Sequence, residues 1–125
     1  MKKVLMIAAT AAFVMGINGV ATTDANAAAW KKCTACHNFT AKKKVGPGLA
    51  GVVGRKAGSV AGFKYKYTKY GSDWVWDEAH LREWICDSKK AVKKFTGNDK
   101  ARTKMPPQKI CDPAKQDEVL AKLKG

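Results

Sequence analysis

Three stretches of the chain show ordered spacing of apolar residues. From residue 4 to residue 20 the sequence VLMIAATAAFVMGINGV is almost wholly apolar or small; Lys2 and Lys3 precede it and Ala25-Asn26-Ala27 follows. A charged start, an apolar stretch and a small-residue site in that order predict a cleavable secretory signal over residues 1–27, with a cut after Ala21 as the alternative. Asn18 within the stretch, and the absence of a stop-transfer flank, argue against a retained anchor. Farther along, WDEAHLREWI sets Leu81, Trp84 and Ile85 on one face, which predicts a helix from about Val75. The lysine-rich SKKAVKKF is compatible with an extension of that helix, and His80 falls off its buried stripe, toward solvent. Asp112 and Pro113 read as an N-cap and a first-position proline opening a last helix, whose buried face is Val119, Leu120 and Leu123. An alanine-rich run before Cys33 predicts a first helix, the glycine-rich residues 44–62 predict a loop, and no pair of alternating segments predicts a sheet. The expected domain, residues 28–125, is all-α, with short helices and long loops.

Composition narrows the setting. Cleavage after Ala27 would leave 98 of the 125 residues, with 22 of the 24 basic and 9 of the 10 acidic ones, a formal charge of +13. So small a domain ordinarily needs a disulfide, a metal or a cofactor to supplement its core. In an exported protein this charge suits an acidic protein surface or anionic headgroups rather than nucleic acid.

The chemistry lies in CTACH, residues 33–37. Cysteines at i and i+3 lie on one helical face, so Cys33 and Cys36 can present both sulfurs to one flat object, and His37 projects from the same turn. A haem takes two thiols as thioethers and needs a nitrogen ligand for its iron, and C-x-x-C-H reads as c-type haem attachment. Two rivals are weaker. Zinc needs four ligands, commonly with a second paired spacing, whereas Cys86 and Cys111 stand apart. A thioredoxin-like pair needs a βαβ setting that the sequence lacks. For the other side of the iron, signal removal leaves Met105 as the last methionine, in TKMPP between a lysine and two prolines. That is a poor place for a packing residue and a good one for a ligand, which makes Met105 a better candidate than His80.

Taken in order, CTACH, VGPGLAGVVGRKAG, GFKY, the tryptophan-led WDEAHLREWI, TKMPP and the closing amphipathic segment resemble class I cytochrome c almost end to end, nearest to the mitochondrial and photosynthetic-bacterial soluble type. The resemblance implies one covalent haem c on Cys33 and Cys36, with His37 as proximal and Met105 as distal ligand. It implies that the Pro47 carbonyl accepts the His37 ring N–H. Arg55, Tyr65, Trp76 and Thr103 match positions that contact or neutralise the haem propionates, and Trp84 matches an aromatic near the methionine. A ring of lysines surrounds the haem edge in this family; Lys42, Lys43, Lys44, Lys89, Lys90 and Lys104 are the candidates here. There are departures too. About eight extra residues (VKKFTGND) precede the methionine loop, and Lys122 stands where an aromatic usually faces a first helix that is short in this chain. Lys122 and the short first helix put the usual contact between the terminal helices in question, or else point to cleavage nearer Ala21.

The implied activity is one-electron transfer by a periplasmic, monomeric carrier that meets acidic redox partners transiently, and not an enzyme. A haem enzyme or gas sensor with a displaceable distal ligand, or a thiol–disulfide oxidoreductase, are the alternatives. With Cys33 and Cys36 taken by haem in an oxidising compartment, Cys86 and Cys111 can pair with each other or with another molecule, or remain two buried thiols; the expectation is a Cys86–Cys111 bridge that closes the methionine loop.

Overall fold

A computed structural model describes residues 29–125. The expected signal segment and both of its cleavage sites lie outside these residues. Three α-helices carry the framework: α1 (Glu78–Cys86), α2 (Ser88–Thr96) and α3 (Pro113–Lys124). Two 3-10 helices, Ala29–Ala35 and Thr68–Tyr70, join them, and the only β pairing among the described residues is an isolated bridge between Lys56 and Val75. The all-α expectation is met, with three local corrections.

The first segment winds as a 3-10 helix rather than an α-helix. It ends at Ala35, and the turn that follows brings Cys36 N–H and His37 N–H back to Cys33 O, so the two cysteines stay one turn apart. The second correction moves a helix start. Val75 lies not in a helix but in an extended run, where Trp76 N–H donates to Arg55 O (2.9 Å) and Ala57 N–H to Trp74 O (3.0 Å). The helix begins only after Asp77, whose carboxylate accepts from His80 N–H at 2.9 Å. Third, SKKAVKKF does not extend α1. Asp87 breaks the helix with extended backbone (φ −149°, ψ 90°), and its carboxylate accepts from Lys90 N–H to open α2. An aspartate followed by serine competes with the helix ladder by offering a cap, and here the cap wins. Gly97, in left-handed conformation (φ 68°), then ends α2.

Two apolar clusters form. Leu81 and Trp84 of α1 pack with Val52, Tyr67, Trp74, Trp76, Val92 and Leu120, while Ile85, Cys33, Ile110 and Val119 gather the chain ends. The terminal contact survives the departure at Lys122. Its ammonium lies 4.4 Å from the Trp30 ring centre and 5.4 Å from that of Phe39, and those rings meet edge-on at 5.6 Å. A cation over two rings replaces the missing aromatic, at about 0.5–1 kcal/mol per exposed contact. Arg82–Asp117 (2.6 Å) and Lys124–Glu78 (2.7 Å) add exposed ion pairs between α1 and α3.

Cys86 and Cys111 are joined by a disulfide, as expected. Beside it, Lys109 N–H donates to Cys86 O (3.0 Å) and Ile110 N–H to Ile85 O (3.1 Å), so the end of α1 is laced to the residues leading into α3. Closing a loop with a sequence separation of 25 removes chain entropy worth about 3 kcal/mol from the unfolded state. The double variant Cys86→Ser/Cys111→Ser should therefore lose about that much stability in denaturant titration. Unreduced denatured protein should show no alkylation at either position, and two labelled thiols there would contradict the bridge.

Candidate functional site

The turn at Cys33–His37 is fixed by its own backbone, with Cys36 N–H (3.2 Å) and His37 N–H (2.9 Å) both reaching Cys33 O. His37 Nδ1 donates to Pro47 O at 2.8 Å, which sets the tautomer and leaves Nε2 as a free acceptor. Burial holds the imidazole below its usual pKa, outweighing the opposing bond to Pro47, so the ring stays neutral. Gly46 makes this approach possible. Its N–H donates to Cys36 O (2.7 Å), and a Cβ on it would overlap the His37 ring; one on Gly48 would overlap the backbone of Thr40 and Ala41. Only glycines fit on either side of Pro47.

These groups open on a cleft of about 1160 Å³, counting its solvent-open mouth. The lining brings together Cys33, Cys36 and His37 with Met105, and includes Pro47, Tyr65, Trp76, Trp84 and Thr103. Trp84 Nε1–H donates to Met105 Sδ at 3.0 Å, and Met105 N–H to Thr103 Oγ1 at 3.2 Å. Arg55 is not in the lining. Its guanidinium donates to Gly48 O (3.1 Å) and Ala50 O (3.2 Å), bracing the turn that carries Pro47. His80 is also elsewhere, bonded to Asp77 Oδ1 (2.7 Å) and edge-on to Phe95.

Of the lysines singled out above, only Lys104 lines the cleft, with its ammonium 5.3 Å from the Phe63 ring; Lys32 and Lys66, not singled out, line it as well. Sequence reasoning also passed over Tyr67, which is buried in the lining with its phenol pushed far up by desolvation. The signal was present: in FKYKY, rings at 63, 65 and 67 alternate with lysines, and successive rings meet at 4.8 and 5.3 Å. Trp74, packed against Tyr67 and Phe95, keeps a buried Nε1–H without a partner, the one such side-chain atom among the described residues.

The donor set suits a large planar group with a metal centre. Cys33 and Cys36 remain unpaired thiols despite their spacing, an imidazole nitrogen and a thioether sulfur face the same apolar space, and aromatic rings wall it. Zinc is poorly served, because the other two thiols are consumed by each other. Thiol exchange is poorly served too, because burial pushes the Cys33 thiol up, whereas an attacking cysteine needs a lowered pKa.

A comparison with protein-family models finds no match. Among curated proteins, cytochrome c2 iso-2 of Magnetospirillum fulvum is 41% identical over 98 residues, covering 78% of this chain and 94% of that protein. The chain belongs to the class I c-type cytochromes. A match to cytochrome c-550 of Paracoccus versutus, 42% identical, covers 61% of this chain but only 58% of that protein's length. The solved structure of cytochrome c2 from Rhodospirillum centenum superposes with a TM-score of 0.67 at 32% identity, over 81% of this chain and 94% of that one. As a member of this electron-transfer family, the cytochrome has one covalent haem c as its cofactor.

Gly46→Ala should displace the His37 ring from the Pro47 carbonyl. The expected result is a lower yield of haem-loaded protein and a lower thermal midpoint in what is recovered, read by absorbance and circular dichroism. Wild-type yield and melting would show that the turn can shift to admit a methyl group.

Proposed function

We propose that the protein is a periplasmic one-electron carrier whose haem is joined through Cys33 and Cys36 and ligated by His37 and Met105. The observation that carries this reading is the cleft itself, which gathers two unpaired thiols, an oriented neutral imidazole and a thioether. The haem supplies a reversible one-electron couple. The chain's residues adjust it. The Pro47 carbonyl makes His37 a more basic donor, and the apolar wall of Val52, Leu81, Trp76 and Trp84 disfavours the extra charge of the ferric state. Trp84 N–H bonds one lone pair of the sulfur and leaves another for iron.

With His37 and Met105 both holding the iron, no coordination site would remain for a substrate or for oxygen. The alternative of a haem enzyme or gas sensor needs a distal ligand that leaves easily; Met105 instead has a partner for its N–H, its carbonyl and its sulfur. Tyr65, Trp76 and Thr103 would meet the haem propionates, a reading supported by their position in the lining. Arg55 would act on them at longer range as a cation.

Export, with residues 1–27 as the signal, places the mature chain in the periplasm as a monomer. No helix among the described residues is long and apolar enough to cross a membrane. Its partners are acidic faces of membrane respiratory or photosynthetic complexes, or of a periplasmic dehydrogenase. They would be met by Lys32, Lys66 and Lys104 at the cleft and by the exposed Lys42, Lys43, Lys44, Lys89 and Lys90.

Met105→Ala should keep the covalent haem, seen as an unchanged mass after denaturation, while losing the weak far-red band of sulfur-ligated ferric iron and lowering the potential. An unchanged spectrum would remove Met105 from the iron. Electron-transfer rates with an acidic partner should fall as salt rises, since exposed charges are screened beyond about 8–10 Å near physiological ionic strength. Rates indifferent to salt would remove the lysine surface from the docking step.

A further inference from the structure

Met105 is held by more than its sulfur. Its carbonyl oxygen accepts a hydrogen bond from Ser88 Oγ at 2.7 Å, and Ser88 is 0% exposed. This is the sole hydrogen-bond partner of that hydroxyl among the described residues. Ser88 opens α2, where a serine hydroxyl ordinarily competes to satisfy the free N–H groups of the first turn. Here Asp87 performs that task by accepting from Lys90 N–H (3.1 Å), so the hydroxyl is free to turn inward.

Other anchors converge on the same few residues. Trp84 holds the sulfur; Cys86 holds Lys109 N–H and is bridged to Cys111; Ile85 O accepts from Ile110 N–H. Residues 84–88 therefore grip the methionine loop at two places, at Met105 and at 109–111. The second grip fixes where the loop ends. The first fixes how the methionine is presented, with Trp84 on the side chain and Ser88 on the main chain. A thioether has several rotatable bonds, so one bond to sulfur leaves the backbone beneath it free to swing outward. A bond to the carbonyl removes that freedom.

We propose that Ser88 is a positioning residue for Met105, its buried hydroxyl holding the methionine main chain so that the thioether stays presented to the iron. This rests on Met105 being the distal ligand. Removing the hydroxyl leaves the Met105 carbonyl short of a donor only while the loop is closed; once the loop opens, water supplies one. The variant therefore favours the open form specifically. An external ligand reads that population directly, because its apparent affinity scales with the fraction of molecules in which the distal position is free.

The test is imidazole titration of the ferric holoprotein at fixed pH, alongside thermal loss of the far-red band and of helical circular dichroism. Ser88→Ala should bind imidazole about tenfold more tightly, equivalent to about 1.4 kcal/mol. Its far-red band should melt well before the helices do, with the haem still attached. Thr96→Ala is the control, deleting a hydroxyl of similar size at the other end of α2, where Thr96 Oγ1–H donates to Val92 O at 2.7 Å; it should leave imidazole affinity at the wild-type value. The proposal is overturned if Ser88→Ala matches wild type, or if Thr96→Ala tightens imidazole equally. Should Ser88→Ala give no holoprotein, Ser88→Cys, with a thiol as the weaker donor, takes its place, and wild-type affinity there overturns the proposal. Met105→Ala separates the two levels of the argument: it should bind imidazole more tightly than any Ser88 variant. Wild-type affinity in Met105→Ala would fail the ligand assignment itself.

Discussion

A cleft lies where a small domain would ordinarily put its core. In the described residues 29–125, Val52, Tyr67, Trp76, Leu81 and Trp84 both pack in the main apolar cluster and line the cleft. Apolar walls around a void lose the contacts that would offset chain entropy, so the group that fills the cleft is part of the fold. That constraint explains the rest of the design. The filling group is bound covalently, and the surrounding chain is held from outside by a disulfide, terminal packing and surface ion pairs. Long loops can then line the cleft without collapsing into it.

The same constraint governs where glycine and proline stand. Loop backbone must come closer to the imidazole than any side chain permits, and Gly46-Pro47-Gly48 is the result. On the other wall, the methionine loop has no regular structure of its own between Gly97 and α3; its order is borrowed from α1 and the start of α2. One wall is held by local turn chemistry and the other by long-range anchors.

Much of this was legible in the sequence, for identifiable reasons. CTACH and GPG are local motifs in which spacing sets most of the geometry, whereas TKMPP marks the methionine and says nothing of the long-range contacts that hold it. The apolar stripe at Leu81, Trp84 and Ile85 needed only helical periodicity. The helix break at Asp87 was missed because cap and ladder are nearly balanced in energy and tertiary packing decides between them. The start at Glu78 was missed because the extended pairing of residues 54–57 with 74–76 is non-local. The bonds from the Arg55 guanidinium to two carbonyls of its own turn carry no sequence signature either. The contact of Ser88 with Met105 spans 17 positions and has no periodic signature, so only the folded chain shows it.

The run Phe63 to Tyr67 serves two purposes through a single alternation. Phe63, Tyr65 and Tyr67 turn toward the cleft, while Lys64 and Lys66 are exposed. The alternation carries ring wall and exposed charge along the same run, and the bend at residues 66–67 brings Lys66 to the edge of the cleft. Deleting one residue just before Phe63 would not trim the loop so much as invert it, offering two ammonium groups to an apolar cavity and leaving rings in water. Substitutions can drift at either face separately, but insertions and deletions here are read on both faces at once. In this ribbon the length is under tighter constraint than the identity of any one side chain.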